Sequence, residues 1–406
     1  MRKIILICLL FLYGCASTVQ SKLDSVQNNF ANSNFEPTTT SDALDQDNLD
    51  LLINGTALFH ADKFKESDSL FEEFNKRNIN ETSSSISREA GSLLLGGNVN
   101  SYKPYMMDSL FVSYYQIWDL LALHDFSNAR VVINQSYERQ RKMSQEYQEM
   151  IEKNQERISE NSQIKEILDK NTGDWLAFSD IMNPALMYLS GIYFLDRGDF
   201  SNAITYLKRA NGMMPENTFI KQDLENAQRK IRPTKTTWQF IETGFAPRLK
   251  EDSASLLLFN VGLVYFSFTT PYFNNNFTPI PNSELLANVD AMFMTEYKEY
   301  RINETLRSFA SAASKTALQT TMYNSGSDKS LLMGLLSSVY AVSSSNSDVR
   351  TWATLPKYIY VIRTENLNKL NIDDNIKNDI DKNSNNLIYT RIINDKTTDI
   401  KIINLR

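Results

Sequence analysis

The sequence predicts an α+β protein, an all-helical first half followed by a mixed domain, and three observations carry that reading. Apolar residues recur at helical spacing from about residue 50 to 232, and one turn phrase is written three times, as ADKFKES, LHDFSNA and RGDFSNA. After Pro233 the text changes to β-branched and aromatic runs bounded by turn residues. Glycine is scarce, 13 of 406 residues against a usual ~7%, which disfavours turn-dense all-β folds and glycine-rich nucleotide loops.

The chain opens MRKIILICLLFLYGC. Arg2 and Lys3 precede an apolar run from Ile4 to Tyr13, too short for the ~20 residues of a spanning helix and placed as an export signal is placed. Leu12-Tyr13-Gly14-Cys15 resembles a bacterial lipobox, with Tyr13 where a small or β-branched side chain is usual. The resemblance implies a signal peptide over 1–14, a diacylglycerol on Cys15 and an acylated new amino terminus. Such chains, at ~0.8 kcal/mol per buried CH₂, anchor a protein essentially permanently. An ordinary secretory signal would instead leave a free thiol in an oxidising compartment. Ala16 and Ser17 follow the cysteine, with no Asp at the second position. In a two-membrane bacterium this resembles a lipoprotein passed to the outer membrane and facing the periplasm. Residues 15–48, rich in Ser, Asn, Thr, Asp and Gln, read as a disordered tether.

Residues 49–232 read as a helical domain. In Pro184 to Asn217, the residues Gly191, Phe194, Gly198, Phe200, Ala203, Leu207, Ala210 and Pro215 fall at the spacings of the tetratricopeptide (TPR) repeat, which the stretch resembles. Gly191 and Ala203 are small where two helices cross, Gly198 makes the turn, and Pro215 stops the second helix. A weaker copy at 51–75 holds Gly55, Phe64 and Phe71, with Ser67 in place of alanine; another at 115–136 holds His124-Asp125-Phe126, Ala129 and Ile133. The copies are not contiguous, so TPR-like hairpins are expected and not a regular solenoid. Residues 137–171 are dense in charge with a narrow stripe of Met143, Tyr147, Met150, Ile151 and Ile158. They read as a solvated helical arm, either a spacer or a partner-binding coiled coil.

Residues 233–406 read as the α+β domain. Buried strands are expected at 236–247 and 255–273, two helices within 283–322, and a buried apolar helix at 331–342. Further strands are expected at YIYVIR, NLIYTRII and DIKIINLR, the last two joined as a hairpin through NDKTTD, with 368–386 polar enough for a loop or insertion. Three phrases, SLLLGGNVNSYKPYMMDSLFVSYYQIWDLLALHDFSNARVVINQSYERQ at 92–140, IETGFAP at 241–247 and DVRTWATLP at 348–356, resemble the landmarks of a group of uncharacterised bacterial envelope lipoproteins. That resemblance implies a lipobox, a TPR-like half and a C-terminal mixed domain; it implies no activity. Asp108 stands where a Glu is common in the group, and Val349 where a Thr is. By association only, the group suggests cell-envelope work.

The reactive inventory is small. Both cysteines, Cys8 and Cys15, lie in the first fifteen residues, which excludes a Cys₄ or Cys₂His₂ zinc site and a disulfide scaffold. His60 and His124 both fall inside the repeats and read as structural. No HExxH, GxSxG, Walker or Rossmann string occurs, and Gly96-Gly97 lacks the Lys-Ser or Lys-Thr of a phosphate loop. A net charge of −6 gives no reason to expect nucleic acid. The most pointed constellation is Asp348, Arg350 and Trp352. They read either as a partner- or glycan-binding surface, with Arg350 as donor and Trp352 as stacking face, or as an internal ion pair pinning the start of a strand. The expectation is a non-catalytic, lipid-anchored envelope scaffold without cofactor or metal, its helical half offering a groove to a protein partner in cell-wall or envelope assembly. The alternative is an envelope glycan-binding protein or a hydrolase using acidic residues.

Overall fold

Each of the three repeated phrases closes a helical hairpin. In the computed structural model, which describes residues 14–36, 47–81, 102–159, 165–166, 168–169, 180–258, 262–273, 280–324 and 347–405, the hairpins pair α2 (Asn48–His60) with α3 (Phe64–Glu81), α4 (Met106–Ala122) with α5 (Phe126–Ser159), and α6 (Pro184–Asp196) with α7 (Phe200–Met213). The turn residues Asp62, His124 and Gly198 share one conformation, with φ of 59°, 55° and 71°. The crossings match too. A Cβ on Gly55 would lie 2.6 Å from Phe71, and one on Gly191 would lie 2.6 Å from Leu207, so these helices approach at a distance only glycine allows. Ser67, where the pattern expects alanine, donates to the Gly55 carbonyl and to Asp119. A further helix, α8 (Thr218–Gln228), ends the series.

The second half builds a five-stranded sheet in the order β4 (Glu284–Asn288), β5 (Tyr358–Thr364), β1 (Thr237–Thr243), β6 (Asn386–Ile393), β7 (Lys396–Asn404). β1 and β6 are parallel and the other neighbours antiparallel. β6 and β7 turn through Asn394-Asp395, both at positive φ, the two-residue turn that suits a hairpin's twist; it is tighter than the six-residue link expected. A separate antiparallel pair, β2 (Arg248–Leu258) with β3 (Gly262–Tyr272), packs on α9 (Val289–Asn324). Residues 283–322, expected as two helices, are β4 followed by this one long helix. The short apolar run Leu285-Leu286-Ala287 is a length that strand and helix can share, and the pairing of its segment with β5 decides it. The 365–386 segment is mostly loop, with α10 (Asp374–Lys377) inside it. The apolar stretch 331–342 and Gly96-Gly97 lie outside the described residues. The fold class is α+β, as the sequence predicts.

Two regions depart from the sequence reading. The start of the expected tether, 15–48, is instead helix α1 (Gly14–Ala31), whose Leu23, Val26 and Phe30 are buried in the main core. Over 137–159 the expected solvated arm is the continuation of α5, and its inner stripe is docked: Tyr147 donates to the Thr295 carbonyl and Asn154 to the Glu299 carbonyl, both on α9. One hydrophobic cluster runs from Leu23 to Leu405. The boundary expected near 232 therefore marks a change of secondary structure and not a break between cores.

Candidate functional site

The first helix of each hairpin, the face a TPR array would offer to a peptide, is turned to the chain's own sheet. Phe59 packs edge-on to Tyr389, Trp118 packs edge-on to Phe240 and Tyr389, and Tyr188 packs on Phe240. α2, α4 and α6 are buried along nearly their whole length. The groove expected for a partner is thus filled from within.

Several polar side chains crossing this seam meet partners, although Oε1 of Glu242 and Nε of Arg391 are buried without one among the described residues. Glu242 and Arg391 face each other across β1 and β6 and are both wholly buried. One Glu242 oxygen accepts from Arg391 at 2.8 Å, Tyr115 at 3.0 Å and Tyr389 at 2.6 Å. Arg391 also donates to the carbonyls of Gly244 and Thr354. Burial pushes the Glu242 carboxyl above its ordinary range while Arg391 and the two tyrosines oppose the rise. Asp223 is held the same way by Tyr188, Trp238 and Arg363, and burial again dominates its upward shift.

His60 sits at the C-terminal end of α2 with Nδ1 2.8 Å from Asp399, beside Lys401. Burial drives the imidazole down to about 4, against the pull of Asp399, so the ring is neutral near pH 7. Phe30, Phe35, Phe59 and Tyr389 surround it. His60 is structural in these contacts. His124 occupies a turn, with its ring against Phe126.

Asp348, Arg350 and Trp352 are brought together, but inward. Arg350 holds Asp348 through two hydrogen bonds of 2.8 and 2.6 Å and reaches Asp47 at 3.1 Å. Asp47 is the N-cap of α2 and also accepts from the Tyr102 backbone. Trp352 is 3% exposed and donates to Thr56 at 2.9 Å. A stacking face for a glycan must be open, and this indole packs instead against Phe71 and Tyr115. The binding role read from these three residues is therefore corrected: they tie the approach to β5 onto the first helical hairpin. Val349 is buried beside them.

A second junction joins the halves. Glu296 on α9 accepts from the Met106 and Met107 backbone N–H groups, the first turn of α4, where a helix leaves donors unmatched. Asp108 accepts from the Tyr105 N–H and the Tyr102 hydroxyl. Burial raises Glu296 to about 8 and Asp108 to about 7, with the hydrogen bonds opposing in each case.

Among the features open to solvent in the described residues are two in the second half of the chain. A cleft of about 600 Å³ lies beside the 365–386 segment, walled by Lys235, Glu365, Asn366, Lys377 and Asp381. Its Asp374 pairs with Lys377, and Asp381 accepts from Asn383 and Ser384, so these two carboxylates shape the loop. The other is the outer face of β2 and β3, where Leu257 is 73% exposed, Leu263 46% and Tyr265 56%. The expectation of buried strands over 255–273 is corrected at these three residues, because a two-stranded hairpin packed on one helix leaves side chains of its other face uncovered. Their signal is the run SLLLFNVGLVYF, whose alternate residues face opposite sides once it folds back on itself.

Cys15 lies in the first turn of α1. That helix is held at its flank: Gln20 donates to the Leu249 carbonyl, Arg248 pairs with Asp24, and Gln27 donates to the Ala353 carbonyl. No helix among the described residues is long and apolar enough to cross a membrane, and no group of His, Cys, Asp and Glu among them is arranged to hold a metal ion. Comparison with known proteins gives no matching family model, no matching curated protein and no matching solved structure.

Proposed function

We propose that this chain is a lipid-anchored, non-catalytic interaction protein of the bacterial envelope, held close against the membrane and working through its outer surfaces in cell-wall or envelope assembly. The observation that carries the reading is the docking of α1. The lipobox-like tetrad ends at Cys15, and the helix that starts at Gly14 is packed into the core through Leu23, Val26 and Phe30. A lipid on Cys15 would hold the folded body itself at the bilayer, without a long tether between. The acidic and basic groups described above support binding over catalysis, because they are matched in contacts that hold the fold. Labelling cells with a palmitate analogue and fractionating them tests the anchor: the parent chain carries label and sediments with membranes, whereas Cys15→Ala carries none and is released. A Cys15→Ala chain that still sediments would sink the proposal. Photo-crosslinking from outer positions such as Val131 and Ile231, both about half exposed, then asks which protein it meets.

The polar cleft beside 365–386 favours one second reading, glycan binding. Its amides and ammonium groups suit sugar hydroxyls and carboxylates. Chemical-shift changes at Lys235 and Asn366 on adding envelope glycan fragments would support it, and unchanged shifts at millimolar glycan would remove it.

A further inference from the structure

We propose that a cleft between α5 and α7 binds a short peptide with free termini, a zwitterion whose carboxylate is held by Arg209 and whose ammonium group is held by Asp180. The proposal goes beyond the scaffold reading and does not depend on the lipid anchor.

The cleft has a volume of about 560 Å³, within the ~300–1,000 Å³ of pockets that take small ligands. It is lined by Gln140 and Ser144 on α5, by Arg209 and Gly212 on α7, and by Asp180 ahead of α6. Tyr137, one turn before Gln140, packs edge-on to Tyr206, one turn before Arg209, so the two helices touch next to the cleft. At Gly212 the surroundings are open, with nothing within 4 Å of where a Cβ would stand, and a ligand can come up to the helix backbone.

Three polar groups there lack the partner that such groups usually have. The Arg209 guanidinium lies over the Tyr137 ring at 4.0 Å and has no carboxylate at ion-pair distance among the described residues. Its neighbour Arg141, by contrast, is matched with Glu138 at 2.8 Å. Asp180 accepts from the Ser144 hydroxyl at 2.6 Å and from the Ile181 N–H at 2.7 Å, yet no basic side chain among the described residues pairs with it. Gln140 is 5% exposed, and its Oε1 is buried with no donor among the described residues. A cation and an anion thus line one cleft without bridging each other, beside an acceptor that the fold leaves unmatched.

The complement of this set is a ligand with one carboxylate, one ammonium group and an amide N–H between them. Stacking on Tyr137 fixes the guanidinium plane, which suits two parallel hydrogen bonds to a carboxylate. Asp180 attracts an ammonium group and opposes a dianion such as phosphate. The negative end of the α7 dipole, where Gly212 and Met213 line the cleft, acts in the same sense. Gln140 Oε1 takes a peptide N–H.

Equilibrium dialysis of radiolabelled trialanine against the full chain in detergent tests the site. The expected result is saturable millimolar binding that C-terminal amidation weakens at least tenfold, N-acetylation weakens likewise, and Arg209→Gln weakens to the same extent. Gln140→Leu should weaken binding while leaving the denaturant midpoint unchanged or raised, because it removes an acceptor that the fold does not use. The peptide derivatives need no variant, so the outcome does not hang on whether a substitution folds. Absence of saturable binding at millimolar trialanine would overturn the proposal. So would amidated peptide bound as tightly as the free acid, or displacement by equimolar inorganic phosphate, which would make the cleft a simple anion site. A Gln140→Leu chain that binds like the parent but unfolds more easily would place Gln140 in the fold and overturn its role here.

Discussion

In the body of the molecule, where α2, α4 and α6 lie on the five-stranded sheet, polar side chains turn inward and meet partners. In the lobe formed by β2, β3 and α9, apolar side chains turn outward into solvent. The lobe's own buried cluster is small: Val264, Phe266, Phe268, Leu168 and Ala312, with partly buried neighbours. The body's cluster spans nearly the whole described chain. Burial is what conformational stability draws on, and exposed apolar surface is what association draws on. The two regions therefore differ in where their apolar surface goes, and substitutions should separate them.

The strongest way to break the comparison is at Glu242. Replacing it with Ala leaves Arg391 charged, buried and without its carboxylate, which costs about 3–5 kcal/mol where such pairs are broken. Denaturant unfolding should show that loss, and the paired change Glu242→Leu with Arg391→Met should recover much of it. A loss below ~1 kcal/mol for Glu242→Ala would mean the seam is not what locks sheet to helices. Trp352→Ala comes next, at about 3–4 kcal/mol for a buried large aromatic. The same substitution would be nearly neutral were Trp352 an exposed binding face, so the thermal midpoint alone decides between the two readings of that residue.

Much of the body is legible in the sequence, because its signals are local. The phrases ADKFKES, LHDFSNA and RGDFSNA encode one turn geometry, and Gly55 and Gly191 mark close crossings. The strands at 237–243, 358–364, 386–393 and 396–404 come from β-branched and aromatic runs. Helix α1 was hidden by composition, since polar residues outnumber its stripe, yet Val19, Leu23, Val26 and Phe30 stand at spacings of four, three and four. The seam was illegible for another reason. Glu242 and Arg391 are 149 residues apart, and only the parallel register of β1 and β6 makes them neighbours. Whether Trp352 faces inward or outward is likewise a tertiary fact, set by Thr56 and Phe71 on a hairpin far away in sequence.

Titration sharpens the comparison further, because the strongly shifted groups described here lie in the body or where α9 meets it. The His60 imidazole falls from 6.5 to about 4 on folding. Its contribution is fully present above pH 6.5 and is lost as pH falls through 4, about 3 kcal/mol at 1.36 kcal/mol per unit. Glu296 has the opposite sign: raised from 4.5 to about 8, it contributes fully below pH 4.5, and that contribution is lost as pH rises through 8. Unfolding free energies measured from pH 4 to 8 should therefore have a smaller acid-side slope in His60→Phe and a smaller alkaline-side slope in Glu296→Gln, part of the latter remaining with Asp108. Unchanged slopes in both variants would show that neither group titrates differently on folding.

The smallest expected effect on stability is at the lobe's front, and its smallness is the point. Leu257 and Leu263 are a directly paired couple at the tip, yet each keeps about half or more of its surface in solvent. Leu257→Asn with Leu263→Asn removes little burial, and surface changes of this kind stay within ~0.5 kcal/mol. The chain without lipid in detergent-free buffer should unfold at the parent's denaturant midpoint. An unfolding free energy lowered by about 2 kcal/mol or more would place these leucines in a packed contact within the fold. The front of the hairpin would then belong with the body's economy of inward-facing groups, and the contrast between the two regions would fall.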